Sequence, residues 1–382
     1  MDTMTIEEFK QLASLQDRAA VSVYLPTHLA PDGRQDAIRL TKLLERAQDE
    51  LQARGVQPGE AVEMLAAAAK LPSVAEFWKG LSQGLAIFVA RDRTRAYRLP
   101  HAFDESVTVN PRLNIKPLLP VVDRAERYLL LVLSQNRVRL LEVSRGRIQE
   151  IKSHKIPANK RQALNYDGAD RGEQVHEGMR GNLGKQAAIF HGQGGEKDTA
   201  KSDIVQFFQI INRALAPLLN KESAPLLLAG VDYLLPLFRQ TCSYAHLMER
   251  HLAGNCDLLT SQQLHERSWE IMRPYFDRPR REAIERLHDL LGTGKASAES
   301  AEVVGAAATG KIDVLLVDPG EVQLGTFDPN VGKANLCDRS CPHSEDLVNL
   351  ALAETLLHGG VVYAVEPGQL PDETGIAAIY RY

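Results

Sequence analysis

The stretch Ala187-Ala188-Ile189-Phe190-His191-Gly192-Gln193-Gly194-Gly195-Glu196-Lys197-Asp198 decides how the chain is read. A short apolar run ends at His191, three glycines surround Gln193, and a helical pattern sets in at about Ala200. The order is strand, permissive loop, helix. Glycines there let the main chain approach a bound group closely. The first turn of the following helix offers unpaired N–H groups to oxygen-rich or anionic ligands. A plain turn has the same composition, so the flanking sequence has to decide between them.

Working outward, residues 128–133 form a near-continuous apolar strand suited to a buried sheet position. Residues 136–143 and 147–151 read as a hairpin across Arg145-Gly146. Residues 153–185 are polar, basic and glycine-rich without periodicity, a loop of a length that usually carries function. After the glycine loop, a helix over 200–219 places Ile204, Phe207, Phe208, Ile211, Leu215 and Leu218 on one face. A strand at 225–231 and a helix at 234–251 follow. This order predicts a mixed sheet with crossing helices over 124–260.

The preceding part, 1–123, reads as α+β. It has a short helix at 5–15, a strand at 21–25 stopped by Pro26, and a long amphipathic helix at 34–53 closed by Gly55. Helices at 58–71 and 74–79, a hairpin of 85–90 with 94–99 and a strand at 107–109 complete it, ending in a proline-spaced linker at 111–122. The last part, 261–382, opens with a charged helix at 261–291 whose Trp269, Met272, Tyr275, Phe276, Ile284, Leu287 and Leu290 read as core. Helices at 298–308 and 344–357 and strands at 312–317, 361–365 and 376–380 predict an α-β-α sandwich.

The 382 residues are 44% hydrophobic and 25% charged, the composition of a globular protein of about two or three domains. No apolar run reaches the roughly 18 residues of a membrane span, and the acidic first residues lack a signal-peptide core. The expected location is the cytoplasm, with no membrane partner. Net charge is −1 over 1–123, +5 over 124–260 and −8 over 261–382. Only the middle part suits a phosphate backbone; the acidic last part suits a protein partner. No cofactor is expected. Cys337, Cys341 and His343 have a C-x3-C-x-H spacing that is not a common zinc pattern, so they read as a surface loop with two free thiols and no metal.

Two further motifs fail their tests. Gly80-Leu81-Ser82-Gln83-Gly84 matches a nucleophile elbow, but the elbow needs strand, serine, helix and the order here is helix, serine, strand. Gly292-Thr293-Gly294-Lys295 lacks the first glycine and the hydroxyl residue of a phosphate loop, with Asp289 and Ala296 in those places.

With these residues laid out, the chain resembles the archaeo-eukaryotic peptide-chain release factors and their rescue relative pelota, and more closely the bacterial proteins of that superfamily. The resemblance rests on residues 308–318, on Gly359-Gly360-Val361-Val362-Tyr363, on 375–382 and on the glycine loop. It implies a ribonuclease-H-like middle domain at 124–260 and a C-terminal domain at 261–382 related to the kink-turn-binding ribosomal proteins. It also implies a ribosome-associated role in translation termination or ribosome rescue, with ribosome and tRNA met by the middle domain and a translational GTPase by the acidic C-terminal domain. In the family a Gly-Gly-Gln loop promotes hydrolysis of the peptidyl-tRNA ester. Aligned on it, Gly192, Gln193, Gly194, Gly195 and Glu196 take the catalytic positions, and His191, Lys185, Arg180, Lys197 and Lys201 are the RNA-facing residues.

Glu196 stands where the family has glutamine, and three outcomes stay open. The backbone of Gly194 and Gly195 suffices, Gln193 acts after a register shift, or hydrolysis is lost and a non-catalytic ribosome- or RNA-binding protein remains. Asn114-Ile115-Lys116 matches three residues of the family's Asn-Ile-Lys-Ser decoding motif, but Pro117 replaces the serine and the match reads as chance.

Overall fold

The computed structural model describes residues 4–28, 34–79, 83–90, 93–122, 126–144, 147–153, 156–164, 195–337, 344–371 and 374–382. They divide into two units: Met1–Arg124 together with Arg278–Tyr382, and Ala125–Asp277. The architecture is multidomain α/β.

Helix α1 (Ile6–Ala13) begins with a capping box. The Thr5 hydroxyl accepts from the Glu8 amide, and the Glu8 carboxylate accepts from the Thr5 amide at 3.0 Å. Strand β1 (Gln16–Pro26) is followed by α2 (Arg34–Ala53) and α3 (Pro58–Ala69), with Gly55 at φ +82° ending α2. Strands β2 (Gly84–Ala90), β3 (Arg93–Leu99) and β4 (Ser106–Arg112) complete an antiparallel sheet of order β3-β2-β1-β4. Both faces of its centre are apolar. Val21, Val23, Leu25, Ile87 and Val89 pack with Leu40, Leu43, Ala47 and Leu51 of α2. Ala20, Tyr24, Ala86 and Phe88 face the other way.

The second unit holds β5 (Tyr128–Leu133), β6 (Val138–Ser144), β7 (Arg147–Glu150), α4 (Gly195–Leu219), β8 (Leu226–Gly230), α5 (Leu235–Thr241) and β9 (Leu247–Ala253). The sheet order is β7-β6-β5-β8-β9, with β5, β8 and β9 parallel and β6 and β7 antiparallel. Helix α6 (Ser261–Leu290) starts in this unit and ends in the first. Side-chain alternation divides β5 between two cores. Leu129, Leu131 and Leu133 meet α4 and α5, while Tyr128, Leu130 and Val132 meet Leu264 and Met272 of α6. This is why residues 128–133 read as continuously apolar.

The remaining elements of the first unit are β10 (Ala296–Ser297), α7 (Ser300–Ala308), β11 (Ile312–Val317), β12 (Leu324–Asp328), β13 (Lys333–Leu336), β14 (Glu345–Asp346), α8 (Leu347–Leu357), β15 (Val361–Ala364) and β16 (Ile376–Tyr380). The main sheet runs β10-β16-β11-β15, and β12 to β14 form a small separate one. Val314, Leu316, Ala377 and Ile379 pack with Ala283 and Leu287 of α6; Leu315, Val317, Ile376 and Ala378 pack with α7 and α8. The result is the α-β-α layering expected from the sequence.

The same core that holds α7 and α8 also holds Phe9, Leu12, Tyr24, Phe88, Leu113 and Ile115. Helix α8 is buried nearly all round, as a helix with an apolar surface on every side has to be. Residues 113–116 bridge the two halves of the unit. Asn349 of α8 accepts from the Ile115 amide at 2.9 Å and donates to the Leu113 carbonyl at 2.9 Å. Lys116, 1% exposed, pairs with Asp346 at 2.5 Å and donates to the Glu321 carbonyl. Asp346 in turn caps α8 through the Val348 amide. Arg112 reaches Glu345 at 3.5 Å and Glu354 at 3.0 Å. Segment 111–122, expected as a linker, is therefore interior structure.

Three other expectations are corrected. Residues 234–251 are not one helix: α5 stops at Thr241 and β9 begins at Leu247. The parallel partner β8 and Arg239, which donates to the carbonyls of Met248 and Glu249, hold 247–253 extended. Tyr275 is 39% exposed rather than core. Cys337 is disulfide-bonded and not a free thiol; Cys341 and His343 lie outside the described residues.

Removing one partner of a buried pair leaves an uncompensated charge. Lys116→Met is therefore expected to destabilise the first unit by about 3–5 kcal/mol, read by urea unfolding; a change under about 1 kcal/mol would contradict the pairing. Glu345 gives a second expectation. Burial lifts its carboxyl above the usual range, with Asp346 and Glu354 adding to the rise and Arg112 and Arg54 opposing it. A folded pKa above the unfolded one means that stability falls as pH rises from about 4.5 through the raised value. Glu345→Gln removes that slope, so wild type should lose ground to the variant as pH increases across this window in unfolding titrations.

Candidate functional site

Helix α4 carries residues 195–198, the last part of the stretch quoted first. Its 25 residues span about 37 Å, more than twice the roughly 17 Å of five-residue β8. The buried stripe of α4 begins at Ile204 and continues through Phe207, Phe208, Ile211 and Leu215 to Leu219. Lys201 and Ser202, one turn earlier, are exposed. The helix starts at Gly195 rather than near Ala200, so Gly195 and Glu196, expected in the loop, lie in its first turn. Free N–H groups and the positive end of the helix dipole are concentrated in that turn.

Lys160 locates this end relative to the sheet. Its amide donates to the Gln135 carbonyl, just past the C-terminal end of β5, and its ammonium lies 3.4 Å from Asp203 of α4. The start of α4 thus stands at the carboxyl end of the parallel strands. Gly230 finishes β8 at that end. A Cβ there would sit 2.5 Å from the Leu133 carbonyl oxygen, so only glycine lets β8 lie this close to β5.

The opposite end of α4 is tied down. Arg127 grips Glu222 in a fork, at 2.7 and 2.8 Å, and also bonds Glu142. The fork holds the Glu222 carboxyl below its ordinary range. Tyr128, buried and bonded to Ser268 at 2.7 Å, has its hydroxyl pushed up to about 12 by burial. These are anchoring interactions. Burial also raises the thiols of Cys242 and Cys256, which disfavours the thiolate a nucleophile needs. Among the described residues no group of His, Cys, Asp and Glu is arranged to hold a metal.

Of the residues singled out in the sequence, Gly195, Glu196, Lys197 and Lys201 fall on the first two turns of α4. Arg180, Lys185, His191, Gly192, Gln193 and Gly194 lie outside the described residues, as does Ser82. Lys116 of the decoding-like triplet is interior. Lys160 and Arg161, which flank the same end of the sheet, escaped the sequence reading. Their only signal was the basic excess of 124–260, because chain topology and not spacing brings them to α4.

A sequence profile of the family described as "Bacterial archaeo-eukaryotic release factor family 7" matches residues 128–274. These residues make up nearly all of the second unit. A search among curated proteins finds no match. Among solved structures, the chain is similar to the crystal structure of the archaeal translation termination factor aRF1, at 14% identity and TM-score 0.25 over 100% of this chain and 99% of that one. It is similar to S. cerevisiae Dom34, described as a translation termination-like factor, at 14% identity and TM-score 0.37 over 78% and 79%. A ribosome-bound archaeal Pelota follows at 11% identity and TM-score 0.39 over 100% and 95%. Scores this low give the structural likenesses no weight for activity. No helix among the described residues is long and apolar enough to cross a membrane.

Burial separates two lysines that sequence pattern alone treats alike. Under brief acetylation of the folded protein, Lys201 should be modified and Lys116 protected until the first unit unfolds. Mass spectrometry reads both sites, and early labelling of Lys116 would place it at the surface.

Proposed function

We propose that this protein is a ribosome-associated factor of the release or rescue type, acting through the end of the second unit where α4 begins. The observation that carries this reading is the family match over residues 128–274, because it coincides with the unit that bears α4. On this reading the second unit is the ribonuclease-H-like middle domain. The α-β-α layers within 261–382 are the counterpart of the kink-turn-binding ribosomal proteins, and 1–123 is an N-terminal domain packed on them. The chain works in the cytoplasm without cofactor, and its acidic last part, at −8, is the surface for a translational GTPase.

In the proposed chemistry, Gly192, Gln193, Gly194 and Gly195 bring bare main chain to the peptidyl-tRNA ester, and amides of the first turn of α4 stabilise the developing oxyanion. His191, Lys185, Arg180, Lys197 and Lys201 meet RNA phosphates. Glu196 is the observation that favours a second reading, binding without hydrolysis, since a carboxylate beside an oxyanion opposes its formation.

Peptide release from stalled ribosomes separates the two. The first reading expects release that drops at least tenfold in Gly195→Ala with ribosome binding retained, and that rises in Glu196→Gln. Salt-sensitive co-sedimentation with ribosomes, without release in any variant, selects the second. Absence of ribosome binding at low salt defeats both.

A further inference from the structure

We propose that a polar crevice at the carboxyl end of the second unit's sheet is a binding site for single-stranded RNA backbone, formed by Asn136, Lys160 and Arg161. This deepens the functional reading above and rests on its assignment of RNA as the target. The crevice is a cavity of about 410 Å³ lined by Gln135, Asn136, Asn159, Lys160, Arg161 and Leu164. Strands β5 and β8 are adjacent and parallel, but the chain leaves β5 toward β6 on one side and β8 toward β9 on the other. Open sheets bind ligands outside the strand ends where the connections diverge in this way.

The lining chemistry selects the ligand. Two cations and three side-chain amides face the cavity, and no carboxylate lines it among the described residues. The ammonium of Lys160 is shared with Asp203. Arg161 is exposed and has no side-chain hydrogen-bond or ion-pair partner among the described residues, and exposed Asn136 has only its backbone amide engaged, with the Ser134 hydroxyl, leaving its side-chain amide without a partner among those residues. A planar guanidinium with its donors free matches a phosphodiester. The amides suit sugar hydroxyls and base edges.

A flat platform stands at the rim. Tyr233, just past β8, is 58% exposed, and its hydroxyl accepts from Gln135 at 3.0 Å. An exposed ring fixed by such a bond offers a stacking face that an unpaired base can use and a paired one cannot. Backbone continuity adds position. The segment from Ala158 to Lys160 is fastened to the β5–β6 turn by the Val138 and Lys160 amides, and Lys160 is joined to α4. The crevice therefore lies at the same end of the unit as Gly195. RNA held there is delivered to the start of α4.

The test uses the full-length protein and a short, fluorescein-labelled, single-stranded RNA of mixed sequence, read by fluorescence anisotropy over a salt series. Arg161→Glu should weaken binding about tenfold or more and reduce the log–log salt slope by about one. Asn136→Ala and Tyr233→Ala should weaken it severalfold with the slope unchanged. Lys221→Glu, an equal charge change on the exposed residue beyond the far end of α4, should have little effect. Loss in Lys221→Glu equal to that in Arg161→Glu, or duplex RNA binding as tightly as the single strand, overturns the proposal. So does wild type that fails to bind the oligonucleotide. Ribosome co-sedimentation keeps the two readings apart. Its absence with the Arg161 effect intact defeats the ribosome assignment and leaves the crevice standing; its presence with no Arg161 effect does the reverse.

Discussion

An ammonium group with 1% exposure fixes how the first unit is put together. Asp346 pairs with the Lys116 ammonium there while also capping α8. The pair adds little net stability over an apolar substitute, since desolvating both charges costs about what their attraction returns. Its effect is on register. Only one alignment of residues 113–116 along α8 satisfies the ammonium, and the same alignment brings both Asn349 bonds to backbone that would otherwise be buried without partners. Tyr24 extends the arrangement into the first sheet by donating to the Asn114 carbonyl at 2.6 Å. One side of β1 then becomes common core with α7 and α8.

This assembly also constrains function. A triplet resembling a codon-reading motif is used up as internal connection, so it presents nothing to an RNA. The surfaces left for recognition are elsewhere. In the second unit the demands differ: β5 and β8 are apolar on both faces, so helices have to cover both, and neither face is open to a ligand. The rim of the sheet at its carboxyl end stays accessible. There the chain reverses, backbone groups lack sheet partners, and polar side chains collect.

Much of this was legible in the sequence wherever one physical signal dominated. Residues 34–53 carry an unbroken helical stripe with Gly55 after it, and they form α2 with those bounds. The short apolar runs 312–317 and 376–380 read as strands, and they form β11 and β16 with those bounds. Legibility failed where partners decide. Residues 247–253 have no alternation of their own, and they are a strand because β8 offers an edge and Arg239 holds their carbonyls. Strands β12 to β14 are short pieces defined by one another, with little pattern to detect. Proline spacing made 111–122 look like a tether, since prolines report local geometry and not burial. At the candidate site, composition marks the glycine stretch in the sequence, but of its glycines only Gly195 falls among the described residues, in the first turn of α4. The Lys160–Asp203 contact leaves no such mark, because 43 positions of chain separate its members.

The inserted position of the second unit carries a consequence for synthesis. Residues 125–277 can complete their sheet from a contiguous run of chain. The sheet of β1 to β4 is made first, yet the core on one of its faces is completed by α7 and α8, which are made after the whole of the second unit. A nascent polypeptide therefore holds Tyr24, Phe88 and their neighbours against solvent, or against a chaperone, until translation has passed residue 357. Stalling before that point would leave a sticky intermediate in which the later half of the fold is already sound and the earlier half is not.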